Sequence, residues 1–257
     1  MSDTAAKKPR VAFFDFASCE GCQLCVIDLT PEQLLDLLKV IDIVEFREAI
    51  SEHSDQYDIA IIEGSLTRDS DIPRLQKIRD TAKLLITLGS CSTIGGINAL
   101  KNFQAPADYQ KAVYPEDSNK YESGKVRAIH EVVKVDAFIP GCPIDTGEFV
   151  RVVKNLLLGK NLGIPDYPVC VECKKNENVC VYEKGLQCLG PIVRAGCNAR
   201  CPSNGGYCFG CRGLIPEANV KSQQDIMQKY KLSFEQMKEK FKLFLERSPE
   251  VFQDGSK

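Results

Sequence analysis

The sequence predicts an α/β fold in which a parallel sheet, covered by helices on both faces, is followed by a small, irregular, cysteine-rich domain with a C-terminal helix. Short continuous apolar runs alternate with helical patterns over the first 165 residues, which is typical of parallel strands buried on both faces. Residues 166–219 then contain eight cysteines, many Gly, Pro and Asn, and little apolar periodicity. Residues 220–257 have a helical pattern again. We therefore expect two domains, residues 1–165 and 166–257.

The elements of the first domain follow in order from the apolar pattern. Continuous apolar runs predict strands over residues 11–16, 40–46, 59–62, 84–88 and 135–139. Helical spacing predicts helices over residues 34–39, 72–83 and 145–158. The first of these helices has a clear start signal, because Thr30 precedes Pro31 and Gln33 follows three residues after Thr30. Ser233 and Gln236, which lies three residues later, predict a capping box in the second domain.

Composition and charge exclude several function classes. Lys and Arg total 33 against 35 Asp and Glu, a net charge of −2, which argues against nucleic acid as a partner. No apolar run reaches about 18 residues, so we expect no membrane span. Residues 1–10 are polar and charged, without the apolar segment of a secretion signal. These features predict a cytoplasmic protein, in which its 13 cysteines stay reduced and bind metal or do redox chemistry rather than form disulfides.

Four cysteines of the first domain come directly after predicted strands. They are Cys19, Cys22, Cys91 and Cys142. The carboxyl ends of parallel strands meet at one edge of an open sheet, where ligand sites gather. Residues distant in sequence therefore converge there. Four thiolates at one point are the ligand set of a 4Fe–4S cluster or of a structural zinc.

The second domain supplies eight further candidate ligands. They are Cys170, Cys173, Cys180, Cys188, Cys197, Cys201, Cys208 and Cys211. Eight thiolates divide into two more sets of four, so twelve cysteines predict three metal sites. Zinc ribbons share the C-x2-C spacing, so the spacing favours iron–sulfur clusters but leaves zinc open.

Cys25 is left over from the three sets. It lies one helical turn after Cys22, and we interpret it as a buried free thiol rather than a ligand, because cysteine is often buried without function. Cys22 and Cys25 also have the C-x2-C placement of a thioredoxin-like dithiol, at the start of a helix after a strand. That role would leave eleven cysteines unexplained, so we disfavour it.

Taken in order, these motifs resemble those of nickel–iron hydrogenase small subunits over residues 11 to about 213. The first-domain motifs are S-C-E-G-C at 18–22, E-G at 63–64, G-S-C-S at 89–92 with G-G at 95–96, and G-C-P at 141–143. The second-domain motifs are C-L-G-P at 188–191, a cysteine at 197, and C-x2-C-R-G at 208–213. As an ordered set they are highly specific.

The resemblance implies a flavodoxin-like first domain and three 4Fe–4S clusters, with iron bound through the same twelve cysteines. The proximal cluster, facing the large subunit, would use Cys19, Cys22, Cys91 and Cys142. The medial cluster would use Cys197, Cys201, Cys208 and Cys211. The distal cluster would use Cys170, Cys173, Cys180 and Cys188.

Departures from the membrane-bound and periplasmic relatives point to the cytoplasmic, cofactor-coupled hydrogenases. The twin-arginine signal of those relatives is absent from the sequence. Cys170 stands where they have a histidine ligand to the distal cluster. Cys201 stands where their medial cluster often has a proline in place of a ligand. Ile144 replaces the second proline of the Gly-Cys-Pro-Pro motif, a minor difference.

The resemblance implies an electron relay between the nickel–iron centre of a large subunit and further iron–sulfur or flavin subunits. No residue of this chain needs to be catalytic, and we expect Glu20 and Glu63 to have structural or hydrogen-bonding roles. One alternative is a quinone-linked subunit of the complex I type, which shares the first domain but lacks the eight-cysteine domain. The other alternative is a zinc-stabilised binding module without a redox role.

Overall fold

The computed structural model describes residues 8–117 and 120–245. The strands in these residues are β1 (Arg10–Asp15), β2 (Asp42–Phe46), β3 (Ile59–Glu63), β4 (Leu84–Leu88) and β5 (Ala137–Ile139). The α-helices are α1 (Gly21–Ile27), α2 (Pro31–Val40), α3 (Ile72–Thr81), α4 (Gly89–Ile94), α5 (Pro106–Val113), α6 (Thr146–Leu157), α7 (Val169–Lys175), α8 (Arg200–Ser203), α9 (Val220–Lys229) and α10 (Phe234–Leu245). The 3₁₀ helices are Asp69–Asp71, Gly96–Phe103, Ile129–Glu131 and Val181–Lys184.

The five strands form one parallel sheet with the order β2-β1-β3-β4-β5. This is the flavodoxin-like order of doubly wound sheets, so the predicted fold class is confirmed. The strand order reverses next to β1, and in such sheets ligands bind outside the carboxyl ends of the strands near that point. The loops that follow β1, β4 and β5 therefore open at the same edge.

Both faces of the sheet are covered, as the continuous apolar strands require. All five residues of β3 are buried, and successive side chains point to opposite faces. Ile61 packs in the same apolar cluster as Phe149 of α6. Ala60 and Ile62 pack in a second cluster with Leu75 of α3. The sheet thus separates two apolar cores.

A third apolar core is formed entirely by residues 169–245. Residues 166–219 contribute Tyr182, Leu189 and Ile192 to it, among others, and α9 and α10 complete it. Met227 of α9 and Met237 and Phe241 of α10 are fully buried. The predicted division into domains at residues 165 and 166 stays a prediction, and residues 246–257 of the predicted helical tail lie outside the described residues. None of the helices in the described parts of the chain is long and apolar enough to span a bilayer.

The start signal of α2 is confirmed, whereas several boundaries differ from the prediction. Thr30 Oγ1 accepts a hydrogen bond from Gln33 N at 3.3 Å, and Gln33 Oε1 accepts one from Thr30 N at 3.2 Å. β5 begins two residues late, because the Asp136 carboxylate accepts a hydrogen bond from Leu85 N at 2.8 Å in place of a strand partner.

Three further boundaries are shifted, and several helices are missed. Residue 40 ends α2 instead of opening β2, α3 ends at residue 81 rather than 83, and β1 runs over residues 10–15. Helices α4, α5, α7 and α8 lie in segments for which no helix was predicted.

A buried ion pair joins the first part of the chain to the cysteine-rich part. The side chains of Arg212 and Glu148 are 1 % and 0 % exposed, and Arg212 Nη2 lies 2.8 Å from both carboxylate oxygens of Glu148. Arg212 also donates hydrogen bonds to the carbonyl oxygens of Pro140 at 2.6 Å and Ala195 at 2.7 Å. Burial raises the pKa of Glu148, and the Arg212 charge opposes that shift.

Replacing Arg212 alone is expected to destabilise the chain more than replacing the whole pair. Arg212→Met leaves the Glu148 carboxylate buried without its partner, which costs about 3–5 kcal/mol. Arg212→Met combined with Glu148→Leu removes both charges and should recover most of that loss. Urea unfolding followed by circular dichroism measures both free energies. A single variant as stable as the double variant would contradict the buried ion pair.

Candidate metal centres

The four candidate ligands of the first domain come together at the carboxyl edge of the sheet. Cys19 precedes α1, Cys22 lies in its first turn, Cys91 lies in α4, and Cys142 follows β5. Burial raises the pKa of Cys91 to about 12, and the charges of Cys142 and Cys19 add to the shift. Burial also raises the pKa of Cys22, and the charges of Glu63, Cys142 and Cys91 raise it further. Groups that act on one another in this way lie close together.

Glycines allow the backbone to pass beside these thiols. A Cβ added to Gly89 would overlap Cys22 Sγ, and a Cβ on Gly96 would lie 2.8 Å from Cys91 Sγ. Both glycines have positive φ, +83° and +58°, a conformation that other residues rarely adopt. Tight turns around the first set therefore leave the thiols space that a side chain would fill.

Glu63 holds the loop that carries Cys22. It is 2 % exposed, and its carboxylate oxygens accept hydrogen bonds from the backbone N–H groups of Cys22 at 3.1 Å and Gln23 at 2.9 Å. These amides begin α1 and have no partner within the helix. Burial raises the pKa of Glu63, and the two amides oppose that shift. Glu63 therefore positions Cys22.

The eight cysteines of the second part line two cavities. One cavity, of about 320 Å³, is lined by Cys170, Cys173, Cys180 and Cys188. The other, of about 340 Å³, is lined by Cys197, Cys201, Cys208 and Cys211, with Cys142 of the first set at its wall. Liquid water takes about 30 Å³ per molecule, so each cavity has room for far more than one ion. Across residues 8–117 and 120–245, no three His, Cys, Asp or Glu side chains are arranged to hold a single metal ion.

Buried thiols and backbone amides define the chemistry of these cavities. Burial raises the pKa of Cys170 and of Cys211 to about 12 each, so a bound metal must displace their protons. The Sγ of Cys188 accepts hydrogen bonds from the N–H groups of Gly190 at 3.4 Å and Cys208 at 3.3 Å. Amide donors favour the thiolate form that ligates metal. The donor set and the space fit a bulky thiolate-ligated group.

Neighbouring sets of cysteines are in contact with one another. The Cys208 N–H donates to Cys188 Sγ, so a residue of one cavity contacts a thiol of the other. Cys142 of the first set lies at the wall of the cavity that Cys197 and Cys211 line. The three sets are therefore arranged in a row, with the set of Cys197 in the middle.

Sequence reasoning missed Glu172, which lies between Cys170 and Cys173 on α7. Its carboxylate accepts hydrogen bonds from the N–H groups of Gly196 at 2.8 Å and Ala199 at 3.0 Å. Ala199 has φ +48° although it is not glycine, a conformation that needs external support. A residue of one candidate site thus shapes the Cys197 loop of another. The available signal was a carboxylate placed between two predicted ligands.

Gln223 was also missed, because no motif marks it. The Tyr182 hydroxyl donates a hydrogen bond to the Cys188 carbonyl oxygen at 2.6 Å, and Gln223 Nε2 donates to the same oxygen at 2.8 Å. Gln223 is buried on α9, so the helical tail fixes the Cys188 loop.

Cys25 is half-buried and packs against the core of the first part, and burial raises the pKa of its thiol.

The chain is similar to known proteins in sequence and in structure. Residues 19–156 match the family model described as "NADH ubiquinone oxidoreductase, 20 Kd subunit". The chain is 34 % identical over 221 residues to sulfhydrogenase 2 subunit delta of Pyrococcus furiosus, covering 85 % of this chain and 92 % of that protein. The chain belongs to the hydrogenase small-subunit family.

Further relatives lie in the same family. This hydrogenase small subunit is 32 % identical to one of the subunits of the F420-non-reducing hydrogenase vhu of Methanocaldococcus jannaschii, covering 79 % of this chain and 81 % of that protein. In the crystal structure of an NAD+-reducing [NiFe]-hydrogenase in the H2-reduced state, one chain superposes with a TM-score of 0.55 at 26 % identity. That match covers 62 % of this chain and 96 % of the other. Such subunits are oxidoreductase components, as predicted. The complex I family model ends before the cysteine-rich part, whereas the Pyrococcus relative extends into it.

Gly89→Ala in this hydrogenase small subunit is expected to displace the Cys22 thiol and to lower metal binding by the first set. Gly185→Ala is the matched control, because Gly185 also has positive φ (+70°) but has no atom within 4 Å of an added Cβ. Both variants carry backbone strain of about 1–2 kcal/mol, and only Gly89→Ala should lose metal. Metal analysis after reconstitution measures the difference, and equal metal content in the two variants would contradict the close approach at Gly89.

Glu172→Ala is expected to weaken the Cys197 loop, because two backbone amides lose their acceptor at a cost of about 1–3 kcal/mol. Glu172→Gln keeps one acceptor oxygen and should lose about half as much. The exposed Glu177, which follows α7 closely in sequence, supplies the control Glu177→Gln. Thermal unfolding and metal content are the measurements. If Glu172→Ala behaves like the control, Glu172 does not support this loop.

Proposed function

We propose that this chain relays electrons between the nickel–iron centre of a large-subunit partner and further redox subunits through three 4Fe–4S clusters. The observation that carries the proposal is the row of three cysteine sets, each next to its neighbour. When bound, the clusters would accept and donate single electrons. The chain itself would bind them, space them and exclude water from them, and no residue of the chain would be catalytic.

The proposed ligand sets keep the sequence assignments. The proximal cluster would be held by Cys19, Cys22, Cys91 and Cys142, the medial cluster by Cys197, Cys201, Cys208 and Cys211, and the distal cluster by Cys170, Cys173, Cys180 and Cys188. The mutual pKa effects within the first set and the two cysteine-lined cavities support this division.

The surroundings of the thiols would influence the reduction potentials of the bound clusters. Backbone N–H groups donate to Cys188 Sγ, and hydrogen bonds to cluster sulfurs are one determinant of reduction potential. Burial of Cys208 and Cys188 limits solvent access, which is another determinant. Four thiolates per site leave more negative charge than a histidine variant, which favours lower potentials.

The partners and location of the chain follow from this role. We propose a nickel–iron large subunit and iron–sulfur or flavin subunits as partners, because a relay without a catalytic centre needs a donor and an acceptor. The exposed Cys180 is where electrons would leave the distal set. A cytoplasmic location is proposed because the many thiols of such sites persist in a reducing compartment.

The metal content of the anoxically purified chain, with any partner that co-purifies, tests the proposal. Three 4Fe–4S clusters require about twelve irons and twelve acid-labile sulfides per chain. About three zincs without sulfide would instead make the same cysteines structural and would end the relay proposal in favour of a zinc-stabilised binding module.

Cys91→Ala is expected to leave the proximal set one ligand short and to abolish hydrogen turnover in the complex, with a loss of up to four irons per chain. Cys25→Ala is the control, because Cys25 belongs to none of the three sets, and its iron content should equal that of the wild type. A Cys91→Ala complex with full iron content and full turnover would remove Cys91 from the proposed ligands.

A further inference from the structure

Arg212 stands at the place where the proximal and medial cysteine sets meet. It follows Cys211 directly in sequence. Its guanidinium donates to the carbonyl oxygens of Pro140 and Ala195, which lie two residues before Cys142 and Cys197. One side chain therefore binds the loops of a proximal and a medial candidate ligand at once. Its third partner, Glu148 on α6, anchors the guanidinium to the first part of the chain.

The loops that Arg212 binds also touch each other. Cys142 lines the cavity of Cys197 and Cys211. Any movement between the Pro140 loop and the Ala195 loop would change this contact. The fork of Arg212 prevents such movement, because three hydrogen bonds of 2.6–2.8 Å fix a planar group in one orientation.

The backbone at Gly196 is adapted to this fork. Gly196 has φ +115°, and an added Cβ would lie 2.5 Å from Glu148 Oε1 and would also overlap the guanidinium of Arg212. Gly196, the residue before Cys197, therefore leaves room for the ion pair that a side chain would fill. The same loop is held from its other side by Glu172, so the Cys197 segment is fixed on two sides.

Arg212 also places a positive charge beside the medial thiols. Arg212 lines the cavity together with Cys197 and Cys211, and it follows Cys211 directly in sequence. Among the described residues that line this cavity, Arg212 is the one with a cationic side chain, whereas Glu148 is not among them. A buried cation near a cluster stabilises its reduced form and raises its reduction potential.

We propose that Arg212 is the positioning residue of the proximal–medial junction, fixing the separation of the two sites and raising the potential of the medial one. This inference rests on the proposed relay function. The medial–distal junction is formed by the hydrogen bond from the Cys208 N–H to Cys188 Sγ. Arg212 takes no part in that hydrogen bond. The medial–distal junction therefore serves as an internal reference in the same molecule.

The test uses the complex purified anoxically with its partner subunits. Arg212→Met with Glu148→Leu removes the fork and both charges, and Arg212→Lys keeps a charge but loses the fork. Arg151→Met is the control, because Arg151 is exposed and lies 3.5 Å from the same Glu148 carboxylate. Iron analysis, redox titration followed by electron paramagnetic resonance, and the splitting of the resonance signals by neighbouring reduced clusters are the readouts.

The double variant is expected to contain the wild-type amount of iron. Its electron distribution between proximal and medial clusters should shift about tenfold toward the proximal one, equivalent to about 59 mV for a one-electron couple. The proximal–medial splitting should change while the medial–distal splitting stays the same. Arg212→Lys should change the splitting with little change in potential, and Arg151→Met should change neither.

Each other outcome counts against one specific claim. A fully loaded double variant with wild-type potentials and splittings would reduce Arg212 to a structural role and overturn the inference. If the double variant does not bind iron, Arg212→Lys decides in its place, and an unchanged proximal–medial splitting overturns the inference. A wild-type complex without clusters overturns the proposed function itself, before any variant is compared.

Discussion

Thiols that are far apart in sequence can meet at one point only if the ends of their strands are level. The parallel register provides this condition: Asp15 pairs with Glu63, Glu63 with Leu88, and Leu88 with Ile139. Four neighbouring strands therefore end in one line, and the cysteine loops begin just beyond it. A slip of one residue in any pair would turn every side chain of that strand to the other face. The apolar cores on both faces exclude such a slip, so core packing determines where the thiols converge.

Carboxylates are used twice to hold thiol-bearing loops, although their charge opposes thiolate formation. Glu63 raises the pKa of Cys22, after burial itself, yet its oxygens accept the two amides that position Cys22. Glu172 does the same for the Cys197 loop. In both places the carboxylate positions the loop although its charge raises the pKa of the cysteine thiol. A carboxylate can accept two amides at once, which a neutral side chain of this size does less well.

The sequence predicted the parallel sheet, because apolar runs are local signals. It also singled out twelve cysteines as candidate ligands, and that assignment stays a prediction. It did not predict α7, since a helix of seven residues with two cysteines has little apolar periodicity. Arg212 and Glu172 were also beyond prediction. Their roles depend on carbonyl and amide groups of distant loops, such as Pro140 and Gly196, and backbone groups leave no trace in side-chain patterns. Glu63 was singled out only as a carboxylate near a motif, and its partners became visible in the structure.

The spacing of the three cysteine sets is a property of the polypeptide as well as of any bound metal. Arg212 ties the cysteine-rich part to the first part by hydrogen bonds, and α10 packs against the 3₁₀ helix Gly96–Phe103, which follows the Cys91 helix. Cys188 and Cys208 are themselves members of the third apolar core, together with Met237 and Phe241. The helices that complete this core come last in the chain, so the cysteine-rich segment is enclosed by residues that follow it. The hydrogen bonds of Arg212 and the packing of α10 therefore both help to define where the second part lies relative to the sheet edge. A relay requires fixed distances between its sites, and a chain that sets those distances by its own packing keeps them during each change of charge.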